Sequence, residues 1–340
     1  MKKSNSRNHH YISQVEQRLN AIDKTVKPEN QRIYKFSVLS HVPAQIKNND
    51  ATGIKIKKNL SRKDLYALKT LDEGGQHNFE DAFSAYEDGI SEITDSLLKK
   101  IEDPEAVNFE HELLRLYCLK LINVIRNPHC IKRTLEMFSE LHGVLPGNEV
   151  LKAHFISLDG ANRPQMASIC SEFNISEDEY LSWLKLIYLL ILQPLDQGLN
   201  LIEHLIKSVF DNKNISKDFY ICQYKDKYQD AGVLLCDRGL IDQQQIEGAQ
   251  LQMFNLDANT FVMVFFIDII KQKIIPMPPE FSELNFGQAN VAKIRIKKND
   301  LASLERYNNL CVAVAHSNVY CSSANPYGVV VQGIDPDEIA

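Results

Sequence analysis

The chain has no Cys-x-x-Cys pair, no apolar run of membrane-spanning length and no excess of positive charge. Each absence closes a class of function. The cysteines, at 118, 130, 170, 222, 236, 311 and 321, are scattered and odd in number, which suits buried reduced thiols better than a disulfide framework or a zinc site. The most apolar stretch, Leu181 to Leu192, contains Lys185 and meets Gln193-Pro194, well short of the roughly 20 residues that cross a bilayer. It is therefore expected to be a buried helix, with no membrane association. Lys and Arg number 38 against 44 Asp and Glu, for a net charge of -6, so contact with nucleic acid would need a local patch. Also absent are Gly-x-Gly-x-x-Gly, Gly-x4-Gly-Lys-Ser/Thr, Gly-x-Ser-x-Gly and His-Glu-x-x-His, which argues against a dinucleotide enzyme, P-loop NTPase, serine hydrolase or zinc protease. No repeat period or low-complexity segment is present. Met1 to Asn8 is basic and polar with no apolar stretch after it, unlike a secretion signal or transit peptide, so a cytoplasmic location is expected.

What is present reads as a globular protein: 340 residues, 44% hydrophobic and 24% charged. The expected organisation is a tail over residues 1–8 and one large domain over 9–340, with sub-regions 9–210 and 216–340. Arg32 to Leu39 alternates polar with apolar residues and predicts a half-buried strand, with Leu65 to Thr70 as its partner. Lys55, Lys57, Lys58, Arg62 and Lys63 mark a basic loop between them. After Gly74-Gly75, His77 to Ile101 predicts an amphipathic helix with Phe79, Phe83, Tyr86, Ile90, Ile93, Leu97 and Ile101 on one stripe. Glu80 and Glu87 flank that stripe, one heptad apart. Asp103-Pro104 closes this helix and opens the next, Glu105 to Ile125, which is apolar around so much of its surface that it belongs in the middle of the domain. Further helices are expected over 130–141, 150–154 and 197–210, and Ser176-Glu177-Asp178-Glu179 caps the apolar one.

From Ser216 the pattern changes to short strands: 219–222, 232–236, 251–254 and 261–267. The last is apolar on both faces and should be central. Pro276, Pro278 and Pro279 mark a surface loop, Leu301 to His316 a final helix, and Asn318 to Cys321 a closing strand. Helices grouped apart from strands predict an α+β fold: a helical region over about 78–210, packed with a mostly antiparallel sheet built from N-terminal strands and residues 216–322.

Five segments together resemble a bacterial family catalogued as domain of unknown function 4238. They are His9-His10-Tyr11-Ile12 with Ser13 where the family has proline, Asn78-Phe79-Glu80 with Tyr86-Glu87, Arg126-Asn127-Pro128, Cys236-Asp237-Arg238-Gly239 with glycine in place of proline, and Asn308 with Val319-Tyr320. The resemblance spans nearly the whole chain and implies an accessory protein of phage defence, a mobile element or a toxin system. It also implies a protein partner from the same defence system.

The candidate residues follow from their chemistry. His9 and His10 could serve as acid, base or ligand, because imidazole transfers protons near neutral pH. Glu80 and Glu87, with His10, could hold a divalent cation, or one carboxylate could act as base. Arg126 ends a buried helix and must be paired; it either meets Glu87 or Glu80 or clamps a phosphate. Tyr11, Asn127 and Asp237 stand beside these motifs. His129 lies too close to Arg126 for the Arg-x4-6-His element of helical ribonucleases. Two readings result. In the first, an effector acts on a phosphodiester or nucleotide, with nucleic acid as the possible substrate and His9, His10, Glu80, Glu87 and Arg126 as its catalytic set. In the second, a non-catalytic sensor or interaction protein uses the same residues as a structural polar network. Exposure separates them, since catalysis needs an open cleft.

Overall fold

In this computed structural model the described residues are 7–69, 76–77, 79–103, 109–195, 198–246, 248–272 and 293–333. Gly74-Gly75, Asn78, Pro104, Gln197, Pro276, Pro278 and Pro279, named above, lie outside them. The fold is α+β, as the grouping of helix and strand signals predicts.

The chain opens with β1 (Asn8–His10) and α1 (Gln14–Leu19), then β2 (Arg32–Ser40), β3 (Gln45–Asn48), β4 (Ile54–Lys55) and β5 (Ser61–Lys63). Short strands β6 (Leu68–Lys69) and β7 (Gln76–His77) pair with each other. The partner expected for β2 is therefore corrected. Leu65, Tyr66 and Ala67 are all fully buried, without the two-sided alternation of a half-buried strand, and the Ala67 N–H turns back to the Asp64 carbonyl.

The organising helix is two helices, α2 (Glu80–Glu87) and α3 (Ile90–Glu102). Gly89 breaks it at φ +76°, a left-handed conformation that helical residues do not adopt. Next come α4 (Glu110–Arg126), α5 (Ile131–Met137), α6 (Glu149–Ser157), α7 (Met166–Phe173), α8 (Glu177–Leu192) and α9 (Leu201–Asp211). Helix α8 begins where the Ser176 signal predicts: its hydroxyl accepts from the Glu179 N–H at 3.0 Å and the Glu179 carboxylate accepts from the Ser176 N–H at 2.7 Å. Its Trp183 is fully buried and donates to the Ile125 carbonyl at 2.6 Å, which ties α8 to the end of α4.

The C-terminal half supplies β8 (Ile215–Gln223), β9 (Leu235–Cys236), β10 (Ile241–Ile246), β11 (Ala249–Asp257), β12 (Thr260–Asp268), α10 (Ile269–Gln272), β13 (Lys293–Lys298), α11 (Leu301–Val314), β14 (Asn318–Cys321) and β15 (Val330–Gln332). One sheet runs β10-β11-β12-β8-β13, with β12 central as expected. Val262, Val264 and Phe266 of β12 face the helical core, while Phe261, Met263 and Phe265 face a second core under α11. The other sheet runs β15-β3-β2-β14-β9, so the N-terminal strand β2 does join C-terminal ones. Among the described residues, no helix is long and apolar enough to cross a membrane.

The two halves of the chain are also joined by amides. Asn20, at the end of α1, and Asn255 of β11 exchange a reciprocal pair of side-chain hydrogen bonds, each 2.8 Å, and both residues are buried.

Candidate functional site

Strand β1 lies antiparallel to β5, with His9 opposite Arg62, and this pairing carries the N-terminal arm into the core. His9 is fully buried. Its Nδ1 accepts from the Tyr66 N–H at 2.9 Å, and its ring stacks on Tyr66 at 5.4 Å between centroids and 3° between planes. Tyr66 in turn donates its hydroxyl to the Arg126 carbonyl at 2.6 Å and packs edge-on to Phe83 of α2. His10 is held at both nitrogens. Nδ1 meets the Asn59 carbonyl at 3.0 Å, which can only accept, so Nδ1 carries the proton and Nε2 accepts from the Gln14 amide at 2.9 Å. Burial and the nearby Arg126 charge lower the His10 pKa to about 4, which keeps the ring neutral at pH 7.

Arg126 closes α4 at 1% exposure. Its guanidinium donates to the Asn123 side-chain carbonyl at 2.7 Å, pairs with Glu87 at 2.7 Å and stacks over Phe83 at 4.9 Å. Burial works against its charge, but Glu87, Tyr66 and Glu80 hold its pKa above the ordinary value. Glu87, 23% exposed, is the member of this pair that reaches the surface. Glu80 sits half-buried at the start of α2 and acts on Arg126 and Tyr66 through its charge.

One turn back along α4, Asn123 also donates to Glu16 of α1, and Glu16 forms an ion pair with Lys120 in which both side chains are 2% exposed. The chain of partners thus runs Lys120, Glu16, Asn123, Arg126, Glu87. Ser13 completes it: its hydroxyl caps α1 by accepting from the Glu16 N–H at 3.1 Å, a bond that a proline at this position could not make.

The structure therefore gathers His9, His10, Arg126, Glu87 and Glu80 around Tyr66 and the end of α4. Among the described residues, no group of three or more His, Cys, Asp or Glu side chains is placed to hold a metal ion. Glu87 is engaged by Arg126 and both His10 nitrogens are engaged by protein, so this set does not form the cation site the sequence suggested.

Tyr11, Asn127 and Asp237 belong to a different face. The Asn127 amide donates to the Asp237 carbonyl at 2.7 Å, and its oxygen accepts from the His129 N–H at 2.9 Å. The Asp237 carboxylate accepts from the His316, Ser317 and Asn318 N–H groups, each at 2.8 Å. Asp237 thus suspends two histidines from its carbonyl and its carboxylate. Their rings stack, 4.1 Å between centroids and 21° between planes, with Tyr11 and Phe173 edge-on to His129. Gly239 turns the chain beside them at φ +79°, where an added Cβ would stand 2.9 Å from Ile12 Cδ1. Proline, locked near about -65°, could not take this turn, which depends on glycine.

Elsewhere, a cavity of about 770 Å³ opens between α2, α4 and α9, lined by Tyr86, Arg115, Cys118, Asn200 and Phe210. No candidate residue named above lines it.

The sequence reading missed Glu16, Lys120, Asn123 and His316. Lys120, a cation between Leu119 and Leu121 on an otherwise apolar stretch, was a visible signal that a buried counter-charge was needed. Glu16 and His316 carried none, since each becomes important only through a residue more than a hundred positions away. Compared with known proteins, the chain matches no family model, no curated protein and no solved structure.

Proposed function

We propose that the chain is a non-catalytic sensor or protein-interaction component in which the His-Glu-Arg set is a polar network that fixes the N-terminal arm. The observation that carries this reading is Arg126: at 1% exposure its guanidinium is already spent on Asn123 and Glu87. A phosphate clamp must present free donors to a ligand, and this fork has turned inward. The two histidines support the same reading. His9 is fully buried against Tyr66, and His10 uses one nitrogen as donor and the other as acceptor within the protein. A general base needs a lone pair within reach of the substrate proton, and neither ring offers one. The rival, a phosphodiester-cleaving effector, retains Glu87, whose side chain is 23% exposed, as an accessible carboxylate.

The test combines nuclease assays on RNA and DNA with thermal unfolding of wild type, Glu87→Gln and His9→Gln. An inert wild type, with both variants melting at lower temperature, is the expected outcome. Nucleic-acid cleavage by wild type that disappears in a Glu87→Gln protein of unchanged melting temperature overturns the reading.

A further inference from the structure

We infer that the stacked pair His129–His316, together with Arg238, is a binding site for a phosphate group. The site is separate from the arm network, and it stands or falls independently of the role given to that network.

The geometry is built rather than incidental. Three segments distant in sequence converge: Asn127 to His129 after α4, Asp237-Arg238 after β9, and His316 in the turn before β14. Asp237 holds the His316 N–H directly and the His129 backbone through Asn127, and the two imidazoles stack. Among the described residues, none of the four ring nitrogens of His129 and His316 makes a hydrogen bond to protein, unlike those of His10. Arg238 Nε is buried and also lacks a hydrogen-bond partner. A buried guanidinium nitrogen is normally satisfied, so Arg238 Nε marks the site, while the imidazole nitrogens are open to solvent and to a ligand.

The unspent donors point to an anion. His129 faces His316, Arg238 and Asp237, with Tyr11 and Phe173 as apolar walls. Glu172, next to Phe173, is taken by Arg62 at 2.5 Å, and both oxygens of Asp237 hold backbone N–H groups. Arg238 and the two imidazoles thus stand beside one carboxylate, Asp237, whose oxygens are already engaged by the backbone, and their own donors stay open. Burial and His316 push the His129 pKa down to about 4, against the opposing pull of Asp237.

A metal ion does not fit. Rings only 21° from parallel and 4.1 Å apart do not direct their nitrogens at one atom. A tetrahedral phosphate does, because its oxygens can accept from a guanidinium on one side and imidazole N–H groups on another. Binding would draw a proton onto His129, whose charge the ligand would then attract.

The experiment is an NMR titration of the full chain, labelled at histidine rings, with inorganic phosphate and separately with adenosine monophosphate. Sodium acetate at matched ionic strength is the control. Saturable shifts of the His129 and His316 rings, with the His129 titration midpoint raised by phosphate, are expected. Arg238→Gln should weaken binding at least tenfold with an unchanged circular dichroism melt, and His316→Gln, at an exposed position, gives a second variant if the first fails to fold. Tighter binding of the nucleotide assigns the site to phosphate esters, and equal or weaker binding assigns it to the free ion; both support it. Rings unmoved by either phosphate, shifts matched by acetate, or undiminished binding by folded Arg238→Gln overturn the inference.

Discussion

Arg126 and His129, three residues apart, belong to two clusters of ionisable side chains built on opposite principles. On the inner side, Arg126, Glu87, Asn123, Glu16 and Lys120 form a closed circuit in which each charge has a counter-charge and each donor an acceptor. On the outer side, His129, His316 and Arg238 are brought together with their hydrogen-bonding capacity unspent. Burial alone does not separate the two kinds, since His10 and His129 are both depressed to about 4. The number of partners does. A network whose members are all satisfied rigidifies the fold, whereas one with spare donors is organised around something else.

Breaking the inner circuit should have the largest effect. Lys120→Ala strands the Glu16 carboxylate in the core and is expected to cost about 3–5 kcal/mol, read as a lower urea midpoint at unchanged slope. Replacing both residues, Glu16→Gln with Lys120→Met, should recover much of that loss. The matching truncation on the outer side, His316→Ala, is expected to stay within about 0.5 kcal/mol. Equal losses from Lys120→Ala and His316→Ala would erase the distinction between the clusters.

Acid should act on both clusters. An unfolded histidine titrates near about 6.5, while folded His10 and His129 titrate near 4. As pH falls below about 6.5 the unfolded chain takes up protons that the native state refuses, so stability is full above that pH. It should decline toward pH 4 and then level off, as followed by denaturant midpoints from pH 7.5 to 4. His10→Gln and His129→Gln should each flatten part of this slope. Saturating inorganic phosphate should flatten only the share belonging to His129.

An effect between those of Lys120→Ala and His316→Ala is expected at the residue that joins the two sides. Asp237→Asn keeps one acceptor and sets an amide NH2 against backbone N–H groups at the other, for about 1–2 kcal/mol. Its signature should be a changed His316 ring resonance while His9 and His10 stay in place. A shift spread evenly over all four histidines would mean that Asp237 supports the whole core rather than the outer pair.

The parts of this architecture that were legible in the sequence are those set by local chemistry. Ser176 and Glu179 announce the start of α8 through their own side chains, and the two-faced apolar run of β12 declares a central strand without reference to its neighbours. Gly89 was equally local, yet the continuous stripe from Phe79 to Ile101 concealed it, because the seam survives the break between α2 and α3. Helix α7 carries a short seam of its own, Met166, Ile169, Cys170 and Phe173, yet was not foreseen. The candidate site divides in the same way. Arg126 advertised its need for a partner by ending an apolar helix, and Glu87 was one of the two partners considered. The pairing of His129 with His316 was invisible, since 187 positions separate them and neither lies in a recognisable spacing.

The reciprocal amide pair of Asn20 and Asn255 sets a timetable for the newborn chain. The two residues are separated by 235 positions, and neither side chain can complete its hydrogen bonds without the other. At a synthesis rate of about 5–20 residues per second, helix α1 must wait roughly 10–50 seconds before its partner strand exists. During that interval the Asn20 amide, later buried, is served only by water or by a temporary neighbour. The arm that begins the polypeptide is thus among the last parts to be locked.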